Sequence, residues 1–134
     1  MKEVVEFLKA NPVQYFATVG LDGRPKVRPF QFMLEQGGKL YYCTGNAKPV
    51  FKEIQKQPWV EICTCNSAFA WIRLSGKVVF SKDMGIKKKL FEQNEILQTI
   101  YQTPDNPGFE LFYLDQARAV IADFSGNPPK EYSL

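Results

Sequence analysis

Short polar turns recur along this chain between runs rich in aromatic and β-branched residues, and that spacing constrains the fold more than any other feature. Leu21-Asp22-Gly23 separates residues 14–20 from 27–34, Gln36-Gly37-Gly38 leads into 39–44, and Asn66-Ser67-Ala68 joins 59–66 to 69–81. Runs of this length joined by tight Gly- and Asp-containing turns read as antiparallel hairpins. The first three strands are expected to form a meander. Two further strands, 109–114 and 118–124, follow a loop at 103–108 carrying Pro104 and Pro107, and Gly76 inside the longest run marks a bulge or a barrel bend.

Three segments break the strand rhythm. Val4, Val5 and Leu8 recur at helical spacing over residues 2–10, which Asn11-Pro12 terminates. Val50, Phe51 and Ile54 do the same over 46–57, with Pro49 suited to a first helical turn and Pro58 at the end. Asp83 is placed to cap a third helix whose apolar stripe is Ile86, Leu90, Phe91, Leu97 and Tyr101, leaving Lys87, Lys88 and Lys89 on a solvated face. The tail from Ser125 reads as surface structure. Six or seven strands with short helices describe a single α+β, mainly β domain over residues 1–134, closed as a small antiparallel barrel.

Composition then excludes whole classes of chemistry. The 134 residues include no histidine, so Ser-His-Asp and Cys-His catalysis, His-ligated zinc and the usual axial ligand of haem are all absent. Three cysteines, Cys43, Cys63 and Cys65, cannot close a four-ligand zinc site and are expected as buried apolar thiols. No segment is apolar for long enough to cross a bilayer and the N-terminal residues lack a signal-like core, so a soluble, cytoplasmic protein is expected. Its reactivity must come largely from something bound.

Two stretches point to the ligand. Strand alternation puts Arg24, Lys26 and Arg28 on one face with Phe30 and Phe32. Arg28, followed on that face by phenylalanines, needs an acidic or anionic partner to offset its desolvation. The second stretch runs from Leu40 to Lys48, where a strand delivers a polar turn to a helix N-terminus. Free N–H groups there, with Thr44 and Asn46 as donors and Lys48 as a point charge, would make an anion site. A phosphate monoester carries about −1.5 to −2 charges, which one Arg, one Lys and a helix terminus would nearly balance. Phe30, Tyr42 and Trp71 would then suit a flat apolar ring at the ligand's other end.

The order of these motifs resembles a known family. Ala17-Thr18-Val19, Asp22-Gly23-Arg24-Pro25, Val27-Arg28-Pro29-Phe30, Gly38-Lys39-Leu40-Tyr41-Tyr42-Cys43-Thr44, Lys48, Pro58 and Gly76-Lys77-Val78 together are similar to the pyridoxamine 5'-phosphate oxidase-like FMN-binding split barrels. The resemblance implies a six-stranded antiparallel split β-barrel that forms a homodimer with FMN at the subunit interface. It also implies that Arg28, Pro29, Phe30 and Gln31 approach the flavin, that Cys43 and Thr44 contact its ribityl or phosphate portion, that Lys48 binds phosphate and that Trp71 lies beside the ring. The chain departs from true pyridoxamine phosphate oxidases, since only Lys48-Pro49-Val50 stands where they carry a longer basic cluster, and the substrate-binding C-terminal Arg segment has no counterpart. It also resembles short stress-protein and nitroimidazole-resistance members, without the histidine found in some of the latter.

The expected function is an FMN-binding oxidoreductase passing electrons from a reduced nicotinamide donor to a small-molecule acceptor, with no protein acid or base. Arg28 and Lys48 would anchor phosphate, Thr44 and Asn46 would donate hydrogen bonds, and Lys26 and Arg73 are weaker candidates for charge near the ring or substrate. The alternative is a non-catalytic module that binds flavin or haem. A net charge of only +3 with 14 acidic residues disfavours a nucleic-acid binder.

Overall fold

The computed structural model describes residues 1–134. In chain order the elements are α1 (Lys2–Ala10), β1 (Gln14–Val19), β2 (Pro25–Phe30), β3 (Leu34–Gln36), β4 (Lys39–Gly45), α2 (Pro49–Lys56), β5 (Trp59–Cys65), β6 (Trp71–Ser81), α3 (Met84–Gln93), α4 (Glu95–Tyr101), β7 (Phe109–Ala122) and β8 (Lys130–Ser133). The strands pair antiparallel in the order β2-β1-β5-β6-β7-β4-β3, with β8 added to β7. Six strands of six or more residues build a split barrel, and the short β3 and β8 extend it. No ladder joins the end strands β2 and β3, so the barrel keeps a seam that residues 31–33 cross.

The barrel interior is aromatic. On β1 the alternation puts Gln14, Phe16 and Thr18 inside. Phe16 stacks on Phe30 with ring centroids 4.3 Å apart, and Tyr42 stacks on Phe112 at 6.0 Å. A second, smaller core lies on the other side of β4 and β7, where Tyr41, Phe109 and Leu111 meet Ile86, Leu90, Phe91 and Leu97 of α3 and α4. Adjacent tyrosines on one strand are therefore both buried, Tyr42 in the barrel and Tyr41 beneath the helix pair.

Five expectations need correction, all but the helix break for a nonlocal reason. The strand expected over 27–34 ends at Phe30, because Phe32 N–H is captured by Gln14 Oε1 at 3.1 Å and Met33 N–H by Tyr41 O at 3.0 Å. The three-strand meander is consequently broken, and β4 pairs with β7. The helix after Asp83 divides at Asn94, whose extended backbone (φ −138°, ψ 96°) and side-chain bond to Leu90 O end α3. Residues 109–122 form one strand, in which Gln116 (φ 51°) makes a bulge opposite Gly76. A Cβ at Gly76 would lie 3.0 Å from Leu114 Cβ and 3.1 Å from Asp115 O, so the glycine admits the bulge. Finally, the tail is not loose surface structure: β8 pairs with β7, while Lys130 and Tyr132 both donate to Glu3 on α1.

Gln14 is the buried polar pivot of this arrangement. Its amide donates to Leu8 O (2.9 Å) and Asn11 O (3.1 Å) and accepts from Phe32 N–H (3.1 Å) and Tyr42 O–H (3.2 Å). Every hydrogen-bonding capacity of the amide is used. Replacing Gln14 by Leu strands a buried amide N–H and a phenol at the seam, and we expect a loss of about 3 kcal/mol in urea unfolding with the m-value unchanged. A loss below about 1 kcal/mol would show that the pivot is dispensable.

Candidate functional site

One cleft gathers most of the residues singled out from the sequence. Its first lip is Pro29 and Phe30 at the end of β2 with Gln31 and Met33 of the seam crossing, its second is Cys43, Thr44 and Lys48, and its third wall is Ile96, Leu97, Ile100 and Tyr101 of α4. Its cavity volume is about 170 Å³, below the roughly 300–1,000 Å³ usual for sites that enclose a small molecule, and the cleft is open to solvent on one side. The cleft exists because β2 stops short: residues 31–33 then turn across the barrel and bring its first lip beside β4.

The polar end is defined by unused donors. Thr44 Oγ1 is buried with no hydrogen-bond partner, alone among the buried side-chain oxygens and nitrogens of the chain. Such an orphan costs about 1–3 kcal/mol unless a ligand or water satisfies it. Lys48, exposed at the N-cap of α2, enters none of the six ion pairs of the chain. Burial pushes the Cys43 thiol up to about 12, against the opposing pull of the Lys48 charge. Cys43 is therefore a neutral thiol at the cleft wall and not a nucleophile.

Four expected site residues are not brought to the cleft, among them Tyr42, which is wholly buried inside the barrel and donates to Gln14. Arg28, expected at the phosphate, is held inside its own chain: NH2 donates to Glu53 Oε1 at 2.6 Å, and NH1 donates to Thr18 Oγ1 at 2.7 Å and to Phe16 O at 3.1 Å. The acidic partner that its surroundings demand is thus a residue of α2. Asn46 has its donors occupied, the backbone N–H on Gly108 O at 2.9 Å and the side-chain amide on Pro107 O at 2.8 Å. Trp71 lies elsewhere, paired with Cys65 and Ala122 and packed on Phe124 at 5.1 Å between centroids. The helix terminus also offers less than expected, because Lys48 N–H bonds Gly45 O, Phe51 N–H bonds Lys48 O and Pro49 has no N–H. The anion-binding capacity resides in side chains. Of the weaker candidates, Lys26 pairs with Asp22 at 3.3 Å and Arg73 with Glu61 at 2.5 Å.

The cysteine expectation also fails in part: Cys63 and Cys65 are exposed, and all three thiols are free. Cys63 and Cys65 share the outer face of the sheet with Tyr15, Val27, Arg73 and Trp71, as the registers Tyr15↔Cys63↔Arg73 and Cys65↔Trp71 require. In the other direction, Met33 and the α4 residues were missed. The available signal was Ile96 and Ile100, an apolar pair four residues apart that the Leu97–Tyr101 stripe leaves over. Both are 55% exposed, at the rim of the cleft.

Fold and cleft together define a mostly β, split-barrel domain whose site joins a cationic, hydroxyl-bearing end to an apolar wall. The sequence model of the pyridoxamine 5'-phosphate oxidase family matches residues 1–120, and the chain belongs to that family. Among solved structures it is similar to a NimC/NimA family protein from Clostridium acetobutylicum, at 35% identity and TM-score 0.91 over 100% of this chain and 92% of that one. A pyridoxamine 5'-phosphate oxidase-related, FMN-binding protein from Nostoc punctiforme shares the fold at 21% identity and TM-score 0.69, covering 97% of this chain and 87% of its own. A heme-binding protein from Mycobacterium smegmatis shares it at 15% identity and TM-score 0.72, with 93% of this chain and 54% of that chain aligned. No curated protein matches the sequence.

The state of Cys43 is open to test. With its thiol near 12 rather than the ordinary 9, the thiolate fraction at pH 8 falls about a thousandfold, and alkylation slows accordingly. Peptide mass mapping after iodoacetamide at pH 8 should find Cys43 unmodified in native protein and modified in urea. Its rate should climb about tenfold per pH unit past pH 9. Rapid labelling of native Cys43 at pH 8 would contradict this.

Proposed function

We propose that this chain binds FMN in the cleft and acts as an oxidoreductase that passes electrons from a reduced nicotinamide donor to a small acceptor. The observation that carries the reading is Thr44 Oγ1, buried and unpartnered beside an unpaired Lys48. A hydroxyl and an ammonium without protein partners suit a phosphate monoester, and the apolar wall suits a planar ring. The residues present therefore fit FMN, and the bound cofactor would supply the redox step.

The chain's own contribution is binding and shielding. Lys48 supplies the positive charge, Thr44 a hydrogen bond from a buried hydroxyl, and Cys43 an uncharged wall. Phe30, whose ring is fixed by Phe16 and Phe112, lines the first lip beside Pro29 and Gln31. Ile96 and Ile100 cover the side facing solvent. No carboxylate or imidazole lines the cleft.

The competing reading is a non-catalytic module for flavin or haem. With no histidine in the chain and Cys43 held protonated, the cleft offers iron Met33 and the Tyr101 phenol, whose raised pKa keeps it from being a tyrosinate ligand. Flavin is the better chemical match. Purified protein should bind FMN with quenching of its fluorescence. Lys48→Ala and Thr44→Val should each weaken that binding about tenfold or more while circular dichroism stays that of the folded barrel. Variants that bind FMN as the wild type does would place the phosphate elsewhere. Steady oxidation of NADH or NADPH favours the enzyme, and bound flavin that neither donor reduces favours the module.

We further infer a homodimer that pairs through the outer sheet face, with the flavin at the subunit interface. Tyr15 and Val27, exposed by 54% and 65%, give this face its apolar character beside Trp71. Light scattering of the FMN-loaded protein should report twice the chain mass. A monomer with flavin fully bound would overturn the dimer.

A further inference from the structure

Tyr101 ends α4 with its ring edge-on to Phe109, centroids 5.0 Å apart, and its hydroxyl over the backbone of Gly45. A Cβ on Gly45 would lie 3.0 Å from the Tyr101 hydroxyl and 3.6 and 3.7 Å from ring carbons. Gly45 has no positive φ, so its backbone conformation does not call for glycine. The missing side chain is clearance for the tyrosine.

The clearance leads to a ligand because the phenol placed there is idle. Within the chain the Tyr101 backbone oxygen accepts a bond from Asn106, but the phenol itself has no partner. Burial, and then the neighbouring Cys43, raise its pKa, so it remains a neutral donor at physiological pH. It lines the same cleft as Lys48 and as Thr44, whose buried hydroxyl is also unpartnered. Thr44 and Gly45 are consecutive, so the two idle hydroxyls flank one stretch of backbone immediately before Lys48. A packing role needs only the ring; a hydroxyl admitted over a glycine at the cleft is free to meet an acceptor that enters it.

Building on the FMN reading, we propose that the Tyr101 hydroxyl donates to the phosphoryl end of the bound flavin nucleotide, and that position 45 is glycine to admit it. Arg28 is already neutralised by Glu53, so the single charge of Lys48 falls short of a phosphate monoester's roughly −1.5 to −2. Neutral donors must complete the coordination of the phosphate. Tyr101 extends the site onto the helix pair, which the barrel strands alone do not provide.

The test is a set of fluorescence titrations with FMN and with riboflavin on wild type, Tyr101→Phe, Gly45→Ala and the double variant. Tyr101→Phe keeps the ring on Phe109 and should weaken FMN about ten- to a hundredfold, the loss of a hydrogen bond to a charged group, while riboflavin affinity is unchanged. Gly45→Ala should displace the hydroxyl and cost FMN binding similarly. The double variant should bind no worse than either single one, because both remove the same contact. Equal losses for FMN and riboflavin, additive losses in the double variant, or a Tyr101→Phe protein with wild-type FMN affinity would each overturn the assignment. If Gly45→Ala fails to fold, Tyr101→Phe with the two flavins still decides. Wild-type protein that binds neither flavin would overturn the flavin reading and this assignment with it, whereas tight FMN binding indifferent to Tyr101→Phe overturns this assignment alone.

Discussion

Glu53 lies on the inward face of α2 with its side chain only 7% exposed, and its Oε1 receives both Arg28 at 2.6 Å and the Thr18 hydroxyl at 2.8 Å. Few contacts in this chain link so many elements. The pair joins β2 to α2 while Thr18 and the Phe16 carbonyl tie it to β1. A buried pair of this kind need not add net stability, but losing one member costs about 3–5 kcal/mol because the other is left charged and desolvated. Its structural effect is to seat α2 on the barrel wall and so to fix Lys48, the residue from which that helix starts. Its electrostatic effect is to remove Arg28 from the charges available to a ligand.

That second effect changes how the site works. An anion pocket built on two cations would tolerate loose geometry, since Coulomb attraction falls slowly with distance. On the FMN reading proposed above, a single lysine leaves recognition of the phosphate to directed hydrogen bonds from neutral groups held in place by packing. Thr44 is fixed by the β4 ladder, in register with Glu110. On that reading the site depends on the rigidity of the sheet and helix pair more than on charge.

Much of the fold was legible because it is local. The turns at Asp22-Gly23 and Gly37-Gly38, the helix ended by Asn11-Pro12 and the glycine bend at Gly76 follow from conformational preferences of a few adjacent residues. The features that escaped are set by partners far along the chain. Nothing near Phe30 announces that β2 will end there, because the acceptors that capture the next N–H groups belong to Gln14 and Tyr41. Arg28 was recognised as needing an anion, and a glutamate 25 residues later inside a helix satisfies it. Likewise Asn46 looked free because Pro107 and Gly108, its acceptors, lie about 60 residues away in sequence. At the site, the polar pattern at Thr44 and Lys48 was readable, whereas the α4 wall was not, since Ile96 and Ile100 look like any surface pair until the helix is docked.

The seam between β2 and β3 has a consequence for how the molecule moves. A closed barrel opens only by breaking a ladder, but here two rims meet without one, and the cleft straddles the gap with Pro29 and Gln31 on one side and Thr44 on the other. Anything seated there touches both rims and acts as the rung the sheet lacks. On the proposed reading, occupancy would favour closure of the barrel, and amide hydrogens flanking the gap would report it.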